Sequence, residues 1–141
     1  MKTQLFCDLT TAGKPYHPIV HFCEATKVDE VRNDLAAAEV AIFEIDGSTL
    51  HSVEDVFKAF AIALRMPKGW YGEEDYAPNG NAFLEYLDDV VEWVPAKGHV
   101  ALVRGATDFW RNQPRVAGIL TELWQFANGY RDATINLVFV W

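Results

Sequence analysis

"VAIFEIDGSTLHSVEDVFKAFAIALRMP", residues 40–67, decides the fold. Its opening, "VAIFEIDG", is an apolar, β-branched run that closes on a glycine turn, which is the composition of a strand. Ser52 then opens a helix. "SVED" sets Asp55 three residues after Ser52, the arrangement of a capping box, and Val53, Val56, Phe57, Phe60 and Leu64 recur at three- and four-residue steps along one apolar stripe. Pro67 is expected to end that helix, because proline has no amide hydrogen to donate and restricts the residue before it. A strand followed at once by a helix needs a second strand to return to.

The rest of the chain supplies it. "GHVALVRG" (98–105) and "ATINLVFVW" (133–141) are buried-looking strands. Between the strands lie helical segments: about 80–91, and "PRVAGILTELWQFANG" (114–129), whose Val116, Ile119, Leu120, Leu123 and Trp124 face inward. "DFWRNQP" reads as the connection before that last helix, with Arg111 and Arg115 solvated, and Trp110 and Trp124 read as core. Trp141 packs on the sheet or stays free. Strands separated by helices favour parallel pairing, since parallel neighbours need long crossovers. The expectation is an α/β fold, a small parallel β-sheet packed with helices.

Residues 1–39 read as an N-terminal extension to a domain of residues 40–141. "QLFCDLT" (4–10) and "IVHFCEAT" (19–26) flank the turn-rich "TAGKPYHP" as a β-hairpin, and "VDEVRNDLAAAE" (28–39) follows as a helix with Val28, Val31 and Leu35 on one side. The hairpin would set the two cysteines, Cys7 and Cys23, opposite each other; in a reducing compartment they are read as free thiols.

Composition narrows the function. A net charge of -8 and a pI near 4.8 oppose binding to nucleic acid or to an anionic membrane surface. "MKTQLFCDLTTAGK" lacks the apolar core of a secretory signal, and no segment approaches about 18 uninterrupted apolar residues. The expected location is the cytoplasm and the expected partner is basic. The four histidines, His17, His21, His51 and His99, lack metal-ligand spacing and read as surface residues, so neither metal nor cofactor is expected. Ser52 has no nucleophile motif around it. Glu85, Asp88 and Asp89 are too alike in environment for an acid/base pair, and an enzyme is not expected.

The acidic charge is concentrated. From Gly69 to Trp93 the chain carries seven acidic residues and no Lys or Arg, interspersed with Trp70, Tyr71, Tyr76 and Tyr86. A glycine- and proline-bearing loop, which includes Gly72, Glu73, Glu74, Asp75 and Pro78, leads to Asn79 as the cap of a helix. On that helix Phe83, Tyr86, Leu87 and Val90 face the core, while Asn81, Glu85, Asp88 and Glu92 share another stripe with no basic residue at i+4. Rigid aromatics beside one sign of charge have the composition of an interface centre. Taken alone, the stretch predicts docking against a strongly basic cleft.

From Val40 onward the chain resembles the barstar family of intracellular ribonuclease inhibitors, through "IFEIDGSTLHSVEDVFKAFAIALRMP", then "WYG", then "NGNAFLEYLDDV", then "HVALV" and a closing helix and strand. The resemblance implies that the loop and the second helix enter a ribonuclease active site, where carboxylates stand in for RNA phosphates. Residue by residue it implies contacts from Trp70, Tyr71, Gly72 and Asn79. The family's first acidic residue on that helix falls on Asn81 and its phosphate-site acid on Glu85, and its third acid has only Glu122 nearby. Glu73, Glu74, Asp75, Tyr76, Asp88 and Asp89 complete the expected partner surface. Asn81 has lost the charge, Glu85 is one methylene longer than the family's Asp, and "EEDYAP" enlarges the loop, all of which point to a changed partner. The favoured reading is an inhibitor or immunity protein against a nuclease toxin, a ribonuclease first. The alternative is an interaction module for a basic partner that is not a nuclease.

Overall fold

A computed structural model describes residues 20–69, 75–130 and 135–141, with side chains of the last helix described as far as Phe126. Four strands, β1 (Val20–Cys23), β2 (Val40–Asp46), β3 (Gly98–Arg104) and β4 (Ile135–Val140), form one sheet in the order β1-β4-β3-β2, with every neighbour parallel. The α/β expectation is met.

Five helices cover it: α1 (Val28–Ala37), α2 (Val53–Ala63), α3 (Gly80–Trp93), α4 (Ala106–Asn112) and α5 (Pro114–Tyr130). The period-two alternation of the strands sorts their side chains into two cores. Phe43, Ile45, Ala101, Val103, Ile135, Leu137 and Phe139 share one core with residues of α2, α3, α4 and α5. Val40, Val100, Leu102, Val138, Val140 and Cys23 share the other with Val31 and Leu35 of α1. The faces follow from chirality. The chain crosses the sheet one way from β1 to β2 and returns through β3 to β4, so crossovers of constant hand must lie on opposite faces. All six residues of β4 are buried, as befits a parallel strand covered on both sides.

The segment read as an extension supplies a strand and a helix to this same sheet. β1 lies along β4, with Val20 opposite Leu137, and Arg32 of α1 reaches Glu44 of β2 through its Nε at 3.1 Å. The other half of the expected hairpin, residues 4–10 with Cys7, lies outside the described residues. Cys23 is buried, and its thiol donates to the Glu24 carbonyl at 3.3 Å.

Three readings need correction. α2 ends before Pro67 acts: Arg65 adopts φ 56°, its amide donates to Ile62 O at 3.1 Å and Met66 N to Ala61 O at 2.9 Å, a Schellman closure formed with arginine where glycine is usual. Much of "DFWRNQP" is helical and belongs to α4, which is preceded by Gly105 as its cap, with φ 65°. Seven residues are too few for a periodic signal. His21 and His99 are also not surface residues. His21 Nε2 lies 3.2 Å from Asn136 Oδ1 inside the sheet, and His99 stacks on Phe43 with Nε2 2.6 Å from the Val94 carbonyl.

The aromatic core of the larger side fixes the helices relative to one another. Phe83 of α3 meets Phe57 and Phe60 of α2 at centroid distances of 5.1 and 5.5 Å. Trp124 is fully buried and its indole donates to Ile135 O at 3.1 Å, tying α5 to β4. Trp110 is part-buried against Phe139, and Trp141 is half-exposed, edge-on to Phe22. At the end of β2, Gly47 is required: a Cβ there would stand 2.6 Å from the Arg104 carbonyl.

Candidate partner-binding site

The acidic helix is built from its cap. Asn79 has extended backbone, and its Oδ1 accepts the Ala82 amide at 2.9 Å, satisfying one of the donors a helix start leaves open. From there Phe83, Tyr86, Leu87 and Val90 enter the core, as the periodicity predicts, and α3 runs two residues past the expected Val91. Burying that stripe fixes which side faces out. Asn81, Glu85 and Glu92 are exposed, and Asp88 and Asp89 are half-buried beside them.

Charge on this helix sits where the backbone does not favour it. The first turn holds no acidic residue and the last turn no basic one, whereas a helix dipole favours the reverse. Glu85 has no ion pair with any described residue. Its charge is felt by the adjacent Tyr86, whose phenol is pushed above its ordinary pKa by burial first and by Glu85 second.

The approach loop is described from Asp75. Asp75 is exposed, and Tyr76 is half-buried against α2. Trp70, Tyr71, Gly72, Glu73 and Glu74 lie outside the described residues. Glu122 is exposed on α5, a different helix from the other candidate acids.

Two residues near the site escaped the sequence reading. Glu54 and Lys58 of α2 form an i,i+4 pair at 3.1 Å, and Tyr76 joins it: its hydroxyl donates to Glu54 Oε1 at 3.1 Å and Lys58 Nζ lies 5.1 Å from its ring centroid. The Lys58 hydrogen bond, followed by that from Tyr76, holds the Glu54 carboxyl below the usual carboxylate range. The i,i+4 spacing was a visible signal, but its connection to the loop was not. Asp55 differs from the expected box as well. Ser52 Oγ accepts the Asp55 amide at 3.0 Å, and Asp55 returns a bond to the amide of His51, one residue before the cap.

Among the described residues no helix is long and apolar enough to cross a membrane. Fold and surface together define a small α/β scaffold that displays one acidic helix face. The chain belongs to the barstar family: residues 40–140 match it, and its description is barnase inhibitor. Members of that family are inhibitors rather than enzymes. No individual curated protein is similar enough to the chain to be matched with it.

Proposed function

We propose that this chain inhibits a ribonuclease toxin by laying the outer face of α3 in the toxin's basic active-site cleft. The observation that carries this is Glu85, exposed at mid-helix on a face opposite a fully packed stripe, with no cation among the described residues to neutralise it. Membership of a family of barnase inhibitors supports the class of partner.

The mechanism is physical occlusion. A carboxylate fixed on a helix and desolvated against Arg or Lys makes short charge-assisted hydrogen bonds where the substrate's phosphates would lie. Because the helix is already capped and packed, little ordering remains to be done on binding. The opposed fields of an acidic face and a basic cleft speed the encounter and make it sensitive to salt. Asn81, Asp88 and Asp89 flank Glu85 and set the fit, and Trp70 or Tyr71 is assigned the edge of the contact. Action inside the cell, beside the toxin it neutralises, belongs to the same proposal.

The test is capture from lysate of the source cell on wild type and on Glu85→Lys, both verified as folded by circular dichroism. Retention by wild type alone of a ribonuclease whose RNA cleavage is then blocked supports the proposal. Equal retention on both, or a specific partner without nuclease activity, overturns it; the second result favours an interaction module on the same scaffold.

A further inference from the structure

We propose that the cleft between α2 and the 75–78 loop receives one cationic side chain of the partner, arginine in preference to lysine. The inference deepens the inhibitor reading and rests on it for the partner's identity as a basic protein.

The cleft measures about 270 Å³ and is lined by Glu54, Phe57, Tyr76, Ala77 and Pro78. Small-molecule sites run to roughly 300–1,000 Å³ and are deeper, so this open cleft suits a single side chain. Its walls are a carboxylate, two aromatic rings and a proline. A ring face and a carboxylate together recognise a cation, and the molecule already uses them so. Lys58 Nζ sits 5.1 Å from the Tyr76 centroid and 3.1 Å from Glu54 Oε1.

Glu54 retains capacity. Both the Tyr76 hydroxyl and the Lys58 ammonium engage Oε1, and no described residue bonds Oε2. Arginine is preferred because its planar guanidinium stacks on rings, is weakly hydrated and offers several donors in a fixed fork. Lys58 acts as a resident competitor, since it shares the recognition groups and repels an incoming cation.

Position ties the cleft to the acidic helix. Pro78 immediately precedes Asn79, the cap of α3, and Phe57 packs on Phe83 of α3 with ring centroids 5.1 Å apart. The cleft therefore lies beside the N-terminal end of α3.

N-acetyl-arginine amide and N-acetyl-lysine amide, titrated in turn into the whole protein, provide the test through the backbone amide NMR signals of Glu54, Phe57 and Ala77. The expected result is saturable shifts at these amides, tighter with the arginine compound, weakened several-fold by Glu54→Gln and strengthened several-fold by Lys58→Ala. Absence of saturable shifts, or shifts that Glu54→Gln leaves unchanged, overturns the assignment. Weaker binding by Lys58→Ala does so too, because it makes Lys58 a brace for the loop and not a competitor. The readout needs no toxin. Arginine binding with capture indifferent to Glu85→Lys removes the α3 reading alone, and capture lost in Glu85→Lys without arginine binding removes the cleft alone.

Discussion

Helices α2 and α3 share a construction and differ in how they treat charge. Each opens on a side-chain cap, Ser52 or Asn79, and each buries an apolar stripe that meets the other's at Phe57 and Phe83. α2 places Glu54 and Asp55 in its first turn, where the helix dipole stabilises them, and pairs Glu54 with Lys58 one turn on. α3 leaves its first turn uncharged and carries its acids through the middle and the end. A helix selected for stability alone would resemble α2. On α3, Glu85 has no ion pair with any described residue, which is the feature the proposed function uses.

The strongest way to break the comparison is charge reversal on each helix. If the proposed function holds, Glu85→Lys should weaken inhibition of the ribonuclease by about 2–5 kcal/mol or more, the range for losing one member of a desolvated charge pair, barnase with barstar among the measured systems. Asp55→Lys should cost inhibition far less while lowering the melting temperature, because the Asp55 carboxylate accepts the His51 amide and sits in the first turn of α2. Equal losses of inhibition in the two variants would show that net charge, and not α3, governs binding.

The caps sharpen it next. Ser52→Ala and Asn79→Ala should each cost about 1 kcal/mol in denaturant unfolding, and on the proposed function only Asn79→Ala should also accelerate dissociation of the complex, since it frays the helix assigned to the contact. Below that comes Glu92→Lys, which places a cation in the last turn of α3 and four residues after Asp88. It should raise stability by about 0.3–1 kcal/mol and slow association at low salt.

The smallest effects are those of pH. The carboxyl of Glu54 is held low by Lys58 and then Tyr76, so its contribution to stability is present above the ordinary carboxylate pKa of about 4.3. It is lost as pH falls through the lowered folded value, and Glu54→Gln should flatten that acid limb. Tyr86 moves the other way. Burial and the charge of Glu85 raise its phenol, so its contribution is complete below about 10 and is lost as pH rises through the raised folded value. Urea midpoints measured against pH should show Tyr86→Phe relieving part of the alkaline decline, with Cys23→Ala relieving another part because burial raises that thiol too.

What was legible in the sequence follows from the range of each interaction. The apolar stripes of α2 and α3 and both caps are local, and they were read correctly down to Phe83 and Asn79. α4 was missed because its seven residues span barely two turns and its start depends on the backbone of Gly105. The end of α2 was assigned to Pro67 because nothing in "LRMP" announces an arginine in left-handed conformation. The pairing of β1 with β4 had no sequence signal, since period-two patterning shows which face a residue takes and not which strand lies beside it. The same holds at the candidate site. The acidic face of α3 is written in one helix, whereas the Glu54, Lys58 and Tyr76 cluster exists only after a loop has folded back.

The pairing of β1 has a consequence in time. Of the described strands β1 is the first made and β4 the last, yet Val20 must find Leu137. Paired residues of β2, β3 and β4 lie closer in sequence, Val40 opposite Gly98 and His99 opposite Ile135. Closing so long a loop carries a large entropy cost before any contact rewards it, and contacts between such distant residues slow folding. Without β1 one edge of β4 would stand open to other chains, and the pairing of β1 makes β4 an interior strand of the sheet.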